Sequence, residues 1–115
     1  ELQALKQQGV KIIAPPMFAL LALDTGNRIV PSRYALDIKE TGLDIITWTF
    51  ERSDLRNGAS KGGFYYLFDP AGKAVKTDSD MYEALDVLAR KVGILGIFSD
   101  WPATVTYYAN CMNLK

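Results

Sequence analysis

Three times in this chain a glycine is followed at once by a short apolar run of strand length, and each glycine lies where a helical pattern ends. The runs are Gly9-Val10-Lys11-Ile12-Ile13-Ala14, Gly42-Leu43-Asp44-Ile45-Ile46-Thr47 and Gly93-Ile94-Leu95-Gly96-Ile97-Phe98. Glycine just past a helix end supplies the left-handed backbone that closes the last turn. Apolar residues without strict alternation suit a strand covered on both faces, as in a parallel sheet flanked by helices. Helix, glycine and strand in succession predict parallel pairing through right-handed crossovers. The fold class expected is therefore α/β, built from βα units. The three phrases are unequally spaced, which sets them apart from a short solenoid repeat.

Three such strands with helices on one side leave the other sheet face and both edges uncovered, and uncovered edges invite pairing. Something has to cover them. The pattern points to a part of a larger barrel or doubly wound sheet that needs its missing half, or to a chain that pairs with a second copy of itself.

Between these runs the pattern is readable in most places. Glu1 to Gln8 has Leu2 and Leu5 on one helical face. Pro15-Pro16 stops the first strand. Met17 to Leu23 is strongly apolar, and periodicity does not decide between helix and strand. Asp24-Thr25-Gly26-Asn27 is a turn by composition. Ile29-Val30 reads as a brief extended piece. Pro31 and Ser32 open a helix to about Glu40 with Tyr34, Ala35 and Ile38 on one face. Leu43 to Phe50 is expected as the second strand. Glu51 to about Lys76 has no periodicity; loops of that length are usually functional or disordered. Asp78 to Lys91 is the best helix, with acids in its first turn, Arg90 and Lys91 in its last, and Met81, Leu85 and Leu88 on one face. After Pro102, Val105, Tyr108 and Met112 recur at helical spacing.

Length and composition narrow the function. A chain of 115 residues, about half apolar, is one domain or a piece of one, spanning residues 1–115. Its 13 basic and 13 acidic residues cancel, so there is no electrostatic case for nucleic acid or an anionic membrane. No apolar run is long enough for a transmembrane segment. No signal-peptide pattern is present, and the opening at Glu1 without Met is consistent with a removed leader. Cys111 is the single cysteine, so neither an internal disulfide nor a multi-thiolate metal site can form. It is expected as a buried or idle thiol, or as a bridge to another chain or a missing part of this one. Histidine is absent, so this chain alone cannot build Ser-His-Asp or Cys-His machinery or a His-ligated zinc site.

The candidate functional residues lie where the strands end. Trp48 and Thr49 close the second run, with Glu51 just beyond, and Asp100 and Trp101 close the third. In parallel α/β proteins such ends share one rim, where ligands bind. A carboxylate there could hold a divalent cation or a substrate hydroxyl. Asp100 could equally cap the helix that follows, Glu51 could be a solvated loop acid, and Trp48 could be core. Arg52, Arg56 and Lys61 lie in a Gly-rich stretch that could fold over an anionic head group, but it lacks the phosphate-loop pattern and reads equally as a solvated loop.

Two of these stretches resemble a known family. Gly96-Ile97-Phe98-Ser99-Asp100-Trp101-Pro102 is similar to the last-strand signature of glycerophosphodiester phosphodiesterases. Leu43-Asp44-Ile45-Ile46-Thr47-Trp48-Thr49 is similar to the strand before it, and Gly9 to Pro16 fits the strand before that. The resemblance covers nearly the whole chain in the right order. It implies a TIM barrel, of which this chain would supply about strands six to eight. It implies cleavage of glycerophosphodiesters to an alcohol and glycerol phosphate, with Ca²⁺ or Mg²⁺ as cofactor in the complete enzyme. The family's paired histidines and most of its metal carboxylates follow a His-Arg-Gly motif on early strands, which this chain lacks. No catalytic residue or metal ligand is therefore carried over. What transfers is substrate contact: Trp48 as an aromatic wall, Asp100 as a rim residue, and Glu51 where the related spider-venom phospholipases D carry an acid. Without histidine the chain alone is expected to be inactive. Its expected partners are the missing amino-terminal half or a second copy, and its expected address is secreted or extracellular. The competing expectation is a non-catalytic half-barrel that binds or interacts as a homodimer.

Overall fold

The computed structural model describes residues 2–50, 66–100 and 102–114. Helix α1 (Leu2–Gln7) leads through Gly9 into β1 (Ile12–Ile13), α2 (Met17–Leu20), and a hairpin of β2 (Leu21–Leu23) and β3 (Ile29–Pro31). Then come α3 (Arg33–Thr41), β4 (Asp44–Thr47), α4 (Met81–Val87), β5 (Gly96–Ile97) and α5 (Pro102–Cys111). Strands β1, β4 and β5 form a parallel sheet in the order β1-β4-β5, with Ile12 beside Asp44, Ile13 beside Ile45, Ile46 beside Gly96 and Thr47 beside Ile97. The chain is thus α/β, and its three glycine-led runs lie side by side and point the same way.

Each helix-to-strand junction follows from local chemistry. The Ser32 side chain caps α3 by accepting the Ala35 N–H at 3.1 Å, and its hydroxyl donates to the Ala19 carbonyl at 2.6 Å. At the other end Gly42 sits at φ 79° with its N–H on the Lys39 carbonyl, a conformation in which a β-carbon would be strained. Gly93 does the same after α4, at φ 76°. A 3-10 turn (Asp78–Asp80) precedes α4, and a π-helical turn (Leu88–Val92) continues it.

The core lies between the sheet and its helices. Ile45 and Thr47 of β4 are buried on the helix side, with Met17, Leu20, Ala35, Ile38, Leu85 and Leu88. The opposite face is the more exposed one, with Ile46 half-buried on it. The register puts Ile12 beside the exposed Asp44, and Ile12 is 46% and Phe98 61% accessible. β4 therefore alternates, with Asp44 and Ile46 turned from the helices, where the apolar run had suggested equal burial on both sides.

Several element boundaries differ from the sequence expectations. Met17 to Leu23 is both types in turn, helix and then strand, with no turn residue between them. Pro31 ends β3 rather than opening α3. The buried face of α3 is Ala35, Ile38 and Thr41, one helical row, which turns Tyr34 outward to 41% exposure. No helix among the described residues is long and apolar enough to cross a membrane.

Candidate functional site

The carboxyl ends of β1, β4 and β5 converge on one edge of the sheet, and side chains lock them together. The buried Thr47 hydroxyl donates to the Pro15 carbonyl at 2.8 Å. One residue on, the Trp48 indole Nε1–H donates to the Ala14 carbonyl at 2.8 Å, while the Trp48 carbonyl accepts the Met17 N–H at 2.9 Å. The half-buried Trp48 is thus held across the end of β1, and the Trp48–Thr49 peptide is cis. Toward β5 the parallel ladder runs past the strand ends: Phe98 N–H donates to the Thr47 carbonyl at 2.9 Å, and Phe50 N–H to the Phe98 carbonyl at 3.1 Å. Asp100 follows two residues after Phe98 and is exposed.

Trp48 and Asp100, chosen from the sequence, therefore stand at the same end of neighbouring parallel strands. Glu51, the third residue chosen, lies outside the described residues, as do Arg52, Arg56, Lys61 and Trp101. Among the described residues, no three His, Cys, Asp or Glu side chains gather so as to hold a metal ion. The described part thus offers no complete donor set for Ca²⁺ or Mg²⁺.

Sequence reasoning missed two features near this edge. Tyr66 is fully buried, and its hydroxyl donates to the Phe50 carbonyl at 2.7 Å. Asp69 is also fully buried, and its carboxylate accepts the backbone N–H groups of Lys73, Ala74 and Val75 at 2.8–2.9 Å. Three such bonds are what allow a carboxylate to sit inside a protein. The signal available was Asp-Pro-Ala-Gly, a turn composition that does not reveal burial.

A second concavity, about 810 Å³, lies between the β2–β3 hairpin, α4 and α5 and is lined by Arg28, Lys73, Tyr82, Asp86, Tyr107 and Tyr108, among others. Burial first, and then a 2.7 Å hydrogen bond to Asp86, push the Tyr108 hydroxyl above the usual tyrosine range. Tyr107 is also raised, mainly by its hydrogen bond with the exposed Cys111. The groove mixes both charges with aromatic faces.

Fold and rim together define an α/β chain of parallel βα units whose polar and aromatic residues meet at the carboxyl ends of the strands. No family model matches it. Over 111 residues it is 53% identical to a protein of Arthroderma benhamiae named "Extracellular protein". The alignment covers 96% of this chain and 44% of that relative, so the chain spans less than half the length of the curated protein it matches. The secreted or extracellular address expected from the sequence is thereby supported, and the chain is extracellular.

Proposed function

We propose that this chain is the carboxyl-terminal portion of a secreted, metal-dependent glycerophosphodiester phosphodiesterase, contributing about strands six to eight of a TIM barrel. The complete protein hydrolyses glycerophosphodiesters to an alcohol and glycerol phosphate. This portion supplies wall and rim, with Trp48, Asp100 and Glu51 facing substrate. The histidines, the Ca²⁺ or Mg²⁺ ligands and the remaining strands come from the other half. The observation that carries the reading is that Trp48 and Asp100 end adjacent parallel strands, in the order the resemblance requires. The exposed sheet face with Ile12 and Phe98 supports it, because in a barrel that face is filled by side chains from the other strands. A relative more than twice as long leaves room for them.

The test is an assay of the full-length secreted protein on glycerophosphocholine, with Ca²⁺ or Mg²⁺ and with chelator. Chelator-sensitive release of glycerol phosphate is expected, and residues 1–115 alone are expected to be inert. Absence of hydrolysis with either ion would remove the reading. The same exposed face favours one competitor, a non-catalytic homodimer. Light scattering distinguishes them: a soluble dimer of residues 1–115 in a protein without phosphodiesterase activity supports the competitor.

A further inference from the structure

We propose that Tyr66 is a positioning residue for the rim, acting through the backbone of Phe50. Phe50, just past the end of β4, and Tyr66 are bonded to one another, phenol to carbonyl, at 2.7 Å. Both are fully buried. Phe50 is tied in turn to β5, its N–H on the Phe98 carbonyl at 3.1 Å. One phenol thus holds, through its carbonyl, the residue whose own N–H ties the end of β4, with Trp48, to the end of β5, with Asp100.

Tyr66 is itself held from behind. The Asp69 N–H donates to the Tyr66 carbonyl at 3.0 Å, and the Asp69 carboxylate gathers the N–H groups of Lys73, Ala74 and Val75. Residues 66–75 contain no helix or strand, yet this clasp makes them a fixed support. The Tyr66 ring lies 5.9 Å from Phe68, and Tyr82 of α4 meets Phe50 edge-on at 6.4 Å, so neither ring can turn away without leaving a gap. The role of Tyr66 is to set the separation of Trp48 and Asp100 at the rim.

For its effect on turnover this assignment rests on the phosphodiesterase reading; for its effect on the rim it does not. The experiment is site-resolved hydrogen exchange on the full-length protein, wild type against Tyr66→Phe, which keeps the ring and removes the hydroxyl. Exchange of the Phe50 and Phe98 amides should rise about five- to tenfold, while the Leu95 amide, bonded to Ile45 at 2.7 Å in the same sheet, stays unchanged. A merely structural loss would speed all three together, and that result, or no change at all, overturns the proposal. The wild type alone also tests it, because a Phe50 amide that exchanges freely beside a protected Leu95 amide overturns it without any variant. In the glycerophosphocholine assay Tyr66→Phe should raise KM more than it lowers kcat, because Trp48 and Asp100 contact substrate. If the wild type shows no activity while the exchange pattern holds, the phosphodiesterase reading fails and the positioning role stands.

Discussion

The Tyr108 hydroxyl donates to the Asp86 carboxylate at 2.7 Å, joining α5 to α4. Beside it, Tyr107 of α5 meets Tyr82 of α4 edge-on at 6.1 Å. Tyr108 is buried and Val105 half-buried, whereas Tyr107 is 63% exposed and Cys111 is open to solvent. Tyr108 is the buried anchor of this contact, and its hydroxyl makes the hydrogen bond between the two helices. Tyr108→Phe should therefore cost about 1–2 kcal/mol, the usual worth of a partly buried bond to a charged acceptor. Urea unfolding measures the loss, and amide exchange should show it concentrated in α5.

The same pair sets an alkaline limit. The folded-state pKa of Tyr108 lies above the ordinary value of 10.0, chiefly through burial and secondly through the Asp86 bond. The protonated phenol is the form the fold keeps. Its stabilising contribution is fully present below about pH 10 and falls as pH rises above it, because the unfolded chain loses that proton first. Stability should drop in this window, and Tyr108→Phe should make the drop shallower. Denaturation midpoints on either side of pH 10 test this, with phenolate absorbance showing Tyr108 among the last tyrosines to ionise.

Acid acts on two carboxylates at turns. Asp24 is held below its ordinary 3.8 first by the Arg28 backbone N–H, and the Gly26 N–H adds to this. Asp80 is lowered first by the Lys76 N–H and then by that of Thr77. For a depressed pKa the contribution is present above 3.8 and is lost as pH falls through the lower folded value. Both groups lie at the surface within reach of solvent, so each effect is small. Asp24→Asn and Asp80→Asn should each flatten the acid limb of the stability curve slightly and leave the alkaline limb untouched, as read by urea midpoints across that range.

The glycines give a cleaner backbone test. Gly42→Ala and Gly93→Ala each place a β-carbon on left-handed backbone, at φ 79° and 76°. At Gly42 the new carbon would lie 3.2 Å from the flexible end of Lys6, and at Gly93 nothing stands within 4 Å. Both should cost about 1 kcal/mol, from conformation rather than collision. Thermal unfolding that shows Gly93→Ala to be neutral would contradict this.

These same glycines explain what could be read in advance. A requirement for positive φ writes itself into the sequence, so the three helix-to-strand junctions, at Gly9, Gly42 and Gly93, were visible together with the parallel order they imply. The ends of the runs were not. Val10 and Leu43 look like strand residues, yet pairing begins only at Ile12 and Asp44. In α4 the spacing of Met81, Leu85 and Leu88 revealed the buried face, but nothing in it marked the widening into a π turn at Leu88. At the rim, Trp48 and Asp100 were found because polar or aromatic residues at the end of an apolar run stand out. Tyr66 and Asp69 did not stand out. Their burial depends on how an aperiodic segment packs against the strand ends, and periodicity carries no trace of that.

Asp69 is the residue whose loss should be felt most. Its carboxylate is fully buried and accepts three backbone N–H groups at 2.8–2.9 Å. Asp69→Ala removes every one of those acceptors and strands the donors, of which Val75 N–H is buried. Unmet buried donors cost more than a bond contributes when made, so the loss should reach about 3 kcal/mol or more. Asp69→Asn retains one carbonyl oxygen of nearly the same shape and should lose about half as much. Urea unfolding of both variants tests the ordering. Two variants within about 0.5 kcal/mol of wild type would mean that water replaces the carboxylate at no cost, and that residues 66–75 are not held from within.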